Sequence, residues 1–113
     1  MKKYIKNIEH STVVELENQV EYLSGQIVSK TLSQNKFNSL TLFAFDKDEE
    51  ISTHDSSGDA MITALDGVGK ITIDGKDYQL KKGESIVMPA NIPHAVYAEE
   101  RFKMVLLVIF PVA

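Results

Sequence analysis

Gly83-Glu84-Ser85-Ile86-Val87-Met88-Pro89-Ala90-Asn91-Ile92-Pro93-His94 is the stretch on which the reading of this chain turns. It runs from a glycine turn through a short apolar strand into a proline-bounded turn, and a histidine opens the next strand. Pro89 and Pro93 each lock φ and remove a backbone donor, so neither fits the middle of a paired strand. The two prolines bracket a tight turn, and His94 follows it on a stiff frame.

Working outward, the alternation of apolar residues predicts strands from Gln26 onward. Leu40, Leu42 and Ala44 share one face, while Thr41, Phe43 and Phe45 take the other. Asp46-Lys47-Asp48-Glu49-Glu50 reads as a charged turn. Met61, Thr63 and Leu65 alternate with Ala60, Ile62 and Ala64, and Asp66-Gly67-Val68-Gly69 reads as the next turn. Ile71 and Ile73 follow, and Asp74-Gly75 is a hairpin pair suited to positive φ. Tyr78 to Leu80, Ser85 to Met88, His94 to Ala98 and Phe102 to Phe110 complete the strands, with Glu99-Glu100-Arg101-Phe102-Lys103 read as a solvated turn. Many short strands at close spacing indicate an all-β sandwich or barrel. The helical signal is confined to residues 1–24. There Val13, Leu16, Val20 and Leu23 recur at helical spacing, Thr12 and Glu15 suggest a capping box, and Gly25 suggests a stop. The expected organisation is one domain over 1–113, an N-terminal arm of 1–24 with one short helix, and a barrel over 25–113.

The totals narrow the function classes. At 113 residues and 43% hydrophobic, the chain supports one core without staples. A net charge of −4 argues against nucleic acid, which needs a basic face. The absence of cysteine removes disulfides, thiolate metal sites and a cysteine nucleophile. Neither a continuous apolar leader segment nor a bilayer-length apolar run is visible, so a cytoplasmic location is expected, with no membrane partner. The last strand is apolar on both sides: Met104, Leu106, Val108 and Phe110 on one, Val105, Leu107 and Ile109 on the other. Both faces must be covered. A second copy docking on Phe102–Phe110 is the expected cover, and the arm folding across it is the alternative.

The proline-framed turn and its histidine resemble the second motif of the cupins, small β-barrels whose interior often holds a metal. That resemblance covers about residues 40–110 and implies an all-β, cupin-type double-stranded β-helix, a jelly-roll barrel. Gly83, Pro89 and His94 fall where that family has glycine, proline and a metal histidine, and Asn91 replaces a second glycine. The family's first motif is His-x-His, three or four residues, Glu, six residues, Gly. Anchored on Gly67, it places its histidines at His54 and Ser56 and its glutamate at Ala60. One imidazole and the carboxylate are therefore missing. The leading expectation is a barrel that binds a small organic or carbohydrate ligand without a resident metal or turnover, in a pocket lined by His54, Met61, Met88, His94 and Tyr97.

The alternative is a metal-dependent enzyme, dioxygenase or isomerase in kind, with His54, His94 and either Asp59 or Asp55 on iron, nickel, manganese or zinc. Asp59, one residue from the glutamate position, faces the wrong side of an extended strand. A third alternative is a dimeric interaction module. Ser56-Ser57 beside His54 makes no triad, since sequence neighbours do not assemble one and no nucleophile elbow is present. Gly67-Val68-Gly69 precedes no helix that would carry a phosphate. His10, between Glu9 and Ser11, reads as a surface residue.

Overall fold

The computed structural model describes residues 2–112. Seven strands form a single wrapped sheet: β1 (Ile27–Gln34), β2 (Asn38–Phe45), β3 (Glu50–His54), β4 (Asp59–Ile73), β5 (Lys76–Lys81), β6 (Ser85–Met88) and β7 (His94–Ile109). The main path is β1-β2-β7-β4-β5, with β3 on β7 and β6 on β4, and every pairing is antiparallel. The long strands β4 and β7 run against each other almost end to end and form the spine of the barrel. Each half of the spine has its own neighbours. Phe102–Ile109 of β7 pairs with β2, and His94–Tyr97 pairs with β3. The first half of β4 pairs with β6 and the second half with β5.

The sequence suggested breaks at Asp66–Gly69 and at Glu99–Lys103, but both segments are strand. The spine bends there at two bulges instead of stopping, between Ala64 and Asp66 and between Gly67 and Gly69. The glycines make this bend possible. Gly67 has φ +72°, and a Cβ on it would collide with the Arg101 carbonyl oxygen. A Cβ on Gly69 would stand 2.7 Å from the Phe102 ring, so that ring packs flat on the glycine backbone. Turn composition misled the reading because a bulge calls for the same residues as a turn. Asp74-Gly75 is the expected hairpin, with φ of 49° and 80°.

Strand parity sorts the two faces. Ala60, Ile62, Ala64, Ile71, Met88, Val96, Ala98, Phe102, Met104 and Val108 point inward and make the principal core with Phe45. A second cluster lies outside the sheet, where Val20, Leu32, Leu42 and Ala44 are buried with Ile8, Leu16, Tyr22, Leu40 and Val105 packed around them. The N-terminal arm thus covers part of the outer face of β2 and β7, which is the intrachain alternative to a partner subunit.

The arm does this without the expected α-helix. Only one 3-10 turn forms, Leu16–Asn18, preceded by Glu15 without a side-chain cap. Thr12 donates to the His10 carbonyl instead. Val13 is fully exposed while Val20 is 4% exposed, so the apolar residues do not form one stripe. Contacts with the barrel set the arm's path, overriding weak helical spacing. Lys6 donates its backbone N–H to Leu32 O at 2.8 Å, and Asn7 Nδ2 donates to Thr31 O at 2.7 Å. Tyr22 donates its hydroxyl to Asp66 at 2.6 Å, and Lys103 Nζ donates to the Glu17 carbonyl at 2.6 Å. Burial, reinforced by the Asp66 bond and charge, raises the Tyr22 phenol well above its usual range. His10 is exposed on the arm, its Nε2 2.6 Å from Ile5 O.

Candidate functional site

The proline-bounded turn after β6 builds one side of the barrel mouth. Asn91 takes φ 63°, a left-handed conformation that asparagine tolerates better than most residues. Its N–H donates to Ser56 O at 2.7 Å, and the Ala90 N–H donates to Asp59 Oδ1 at 2.8 Å. The turn is thereby fastened to the loop between β3 and β4. That loop and the end of β3 make the other side of the mouth.

His54 is the last residue of β3 and lies directly across the ladder from His94, the first residue of β7. Their ring centres are 4.4 Å apart with an interplanar angle of 72°, an edge-to-face contact. His54 is exposed, whereas His94 is 3% exposed. Each ring is oriented by a carbonyl two residues earlier: His54 Nδ1 lies 2.9 Å from Ser52 O, and His94 Nδ1 lies 3.0 Å from Ile92 O. Burial lowers the His94 pKa, an effect augmented by the His54 charge and opposed by the Ile92 bond and Asp55. The neutral form is therefore favoured at His94.

Beneath the pair lies a cavity of about 180 Å³. Its polar lining is His54, Ser56 and His94, and its apolar lining is Ile51, Ala60, Ile62, Met88, Val96, Met104, Leu106 and Val108. All four positions that the motif spacing assigns to ligands, His54, Ser56, Ala60 and His94, border this one cavity.

The structure brings together His54, His94 and Met88 from the expected pocket and leaves out Met61 and Tyr97. Met61 sits between the inward residues Ala60 and Ile62 and is 39% exposed on the outer face. Tyr97 follows the inward Val96, and its hydroxyl donates to Asp48 at 2.6 Å outside the barrel. That bond, with burial and the Asp48 charge behind it, raises the Tyr97 phenol pKa. Parity explains both misplacements, since His94 and Tyr97 are an odd number apart and cannot share a face on a regular strand. The same parity carries the signal for Val96, Met104, Leu106 and Val108 as lining residues.

Asp59 also faces away from the rings. Its carboxylate anchors the Ala90 N–H, which is its role in the fold. Among the described residues no group of three or more His, Cys, Asp or Glu is placed to hold an ion. Two imidazoles on one ion, with metal–nitrogen distances of about 2.0–2.1 Å and a right angle between them, would hold their ring centres about 4.5 Å apart. The observed pair matches that spacing. Its two nitrogens are the only imidazole donors at the mouth, however. Ser56 Oγ already accepts the Gly58 N–H at 3.2 Å, and Ala60 brings a methyl group where a carboxylate would sit. This donor set does not fit a tightly held resident ion.

A cupin domain model matches residues 41–110. The chain is similar in structure to a conserved protein of unknown function from Streptococcus pyogenes, at 47% identity over 99% of this chain and 98% of that one, with a TM-score of 0.97. It is also similar to a cupin superfamily protein from Desulfitobacterium hafniense DCB-2, at 27% identity over 95% of this chain and 98% of that one, TM-score 0.91. A cupin 2 conserved barrel domain protein from Leptotrichia buccalis is 50% identical over 82% of this chain and 45% of its own, TM-score 0.81. No curated protein matches significantly.

Proposed function

The chain belongs to the cupin domain family, and from that premise we propose that it is a binding barrel that holds a small organic molecule without turning it over. The observation that carries this reading is the pairing of an apolar cavity with a mouth that lacks the carboxylate. Ala60, 2% exposed, lines the cavity at the glutamate position, so the interior remains open to an apolar body where an ion would need a charged ligand. The volume suits a compact guest: a dry apolar cavity of about 150 Å³ is enough to take up benzene. The test is ligand-induced stabilisation of chelator-treated protein, because a molecule that binds only the folded state raises its melting temperature. A small-molecule screen is expected to give shifts that vanish when the cavity is filled by Ala60→Phe. If divalent ions stabilise the protein and no organic molecule does, the reading is wrong.

The competing reading is a metal-dependent cupin enzyme, dioxygenase or isomerase in kind, using His54 and His94 on iron, nickel, manganese or zinc. The 4.4 Å ring spacing is the observation on its side. Metal-dependent stabilisation lost in His94→Ala would support it.

Pairing of two copies is part of the proposal, through the outer face that the arm leaves open. Met61 pairs with Val87 on β6 and Leu107 on β7, while Val87 and Ile109 are 52% and 53% exposed. An Ile109→Glu variant is expected to shift the sedimentation coefficient to that of a monomer and to leave the cavity intact. Among the described residues no helix is long and apolar enough to cross a membrane.

A further inference from the structure

We infer that the cavity selects a neutral, ring-sized compound carrying one hydroxyl group, of which phenol is the simplest probe. This rests on the binding-barrel reading and adds the chemical class of the guest. The walls set the body of the ligand. Ile51, Ile62, Val96, Met104, Leu106 and Val108 offer hydrocarbon and thioether surface, and about 180 Å³ accommodates one ring with little to spare.

The mouth sets the head group, through which atoms donate and which accept. A backbone carbonyl only accepts, so the contacts from Ser52 O and Ile92 O place the ring hydrogen of each neutral imidazole on Nδ1. Nε2 of each ring is then a bare acceptor. Among the described residues no hydrogen-bonded partner reaches either Nε2, and no buried side-chain polar atom is without a partner, so His94 Nε2 is not sealed into the wall. On this proposal Nε2 faces the cavity that His94 borders. Exposed His54 finds water for its Nε2, whereas His94, at 3% exposure, depends on whatever fills the cavity. Ser56 Oγ accepts from the Gly58 N–H and keeps its own hydrogen to donate.

The polar lining therefore includes an acceptor, His94 Nε2, and a donor, Ser56 O–H. A ligand hydroxyl satisfies both, donating to the first and accepting from the second. A hydrocarbon of the same size strips water from the acceptor and returns nothing, a cost of about 5- to 150-fold in affinity for an unpaired buried group. A carboxylate brings negative charge against two nitrogen lone pairs.

The experiment is a calorimetric or NMR titration of metal-free protein with phenol, toluene and benzoate at a pH near 8, where a free imidazole is neutral. Phenol is expected to bind at least about fivefold tighter than toluene, with benzoate weakest. In His94→Leu the phenol-to-toluene ratio is expected to fall to about one while toluene still binds, which also reports an intact cavity. Toluene binding as tightly as phenol would overturn the hydroxyl class and leave the barrel reading standing. So would benzoate binding tightest, since it would require the rings to act as donors. If none of the three binds at millimolar concentration, this inference falls, and the small-molecule screen alone decides the binding reading.

Discussion

The two sides of the barrel mouth differ in what they carry. The side built by Pro89, Asn91, Pro93 and His94 has both the frame and the histidine of the cupin pattern. The side built by His54, Ser56 and Ala60 has the backbone path, with all three residues on the cavity wall, but only one of the three donors. Position and chemistry are thus separable. The strands and bulges deliver side chains to the cavity whatever those side chains are, and what they can do there depends on identities that the fold does not dictate. Here the fold delivers a serine and a methyl group where the motif spacing puts an imidazole and a carboxylate.

The largest way to break this comparison is to damage the frame that both sides share. Gly67 carries the bend of the β4–β7 spine, and Gly67→Ala would meet the Arg101 carbonyl while forcing an alanine to positive φ. A loss of roughly 3 kcal/mol or more in unfolding free energy is expected in chemical denaturation. A near-neutral result would show that the bend does not depend on glycine.

The next test repairs the deficient side. Ser56→His with Ala60→Glu restores both missing donors on positions that already line the cavity. Affinity for zinc or manganese is expected to rise by at least about 100-fold over the parent, equivalent to about 2.7 kcal/mol. An unchanged affinity would mean that these positions do not converge on one point.

A smaller effect is expected on the intact side. Asn91→Ala keeps the turn but loses a residue suited to φ 63°, at a cost of about 1 kcal/mol. Asn91→Gly should match or exceed the parent, as expected where the family pattern has glycine.

The smallest effect is one of pH. Burial holds the His94 pKa below its ordinary value of 6.5, so the unfolded chain takes up a proton before the folded one does. Stability is therefore undiminished above pH 6.5 and falls as the pH drops from there toward the folded pKa. His94→Asn should flatten this part of the stability curve. Asp46 adds its own slope further down. The Gly25 N–H and then Arg101 hold its carboxyl at about 2, below the ordinary 3.8, so its stabilisation is complete above 3.8 and is lost as the pH falls toward 2.

Much of this was legible in the sequence, for identifiable reasons. Two prolines around Ala90-Asn91-Ile92 admit few backbone paths, and the motif spacing from Gly67 back to His54 lands on positions that line one cavity, because strand and bulge lengths fix that count. Faces were legible wherever parity was applied from a sure anchor. Met61 and Tyr97 lie outside the cavity because the alternation that sends Ala60 and Val96 inward turns their neighbours outward. The arm was the least legible part. Val20 is buried by a sheet face whose residues lie far away in sequence, and no local periodicity reports such a partner. The bulges at Gly67 and Gly69 look like turns to any reading confined to neighbouring residues, since only the opposing Arg101 and Phe102 make them necessary.

On the proposed reading this mouth positions two imidazoles and holds no resident ion. Elemental analysis of protein purified without a polyhistidine tag or a chelator tests it most directly. Transition metal far below one atom per chain is expected, with none retained after incubation with iron, nickel, manganese or zinc and desalting. About one atom per chain, lost in His94→Ala, would contradict it and restore the enzyme reading.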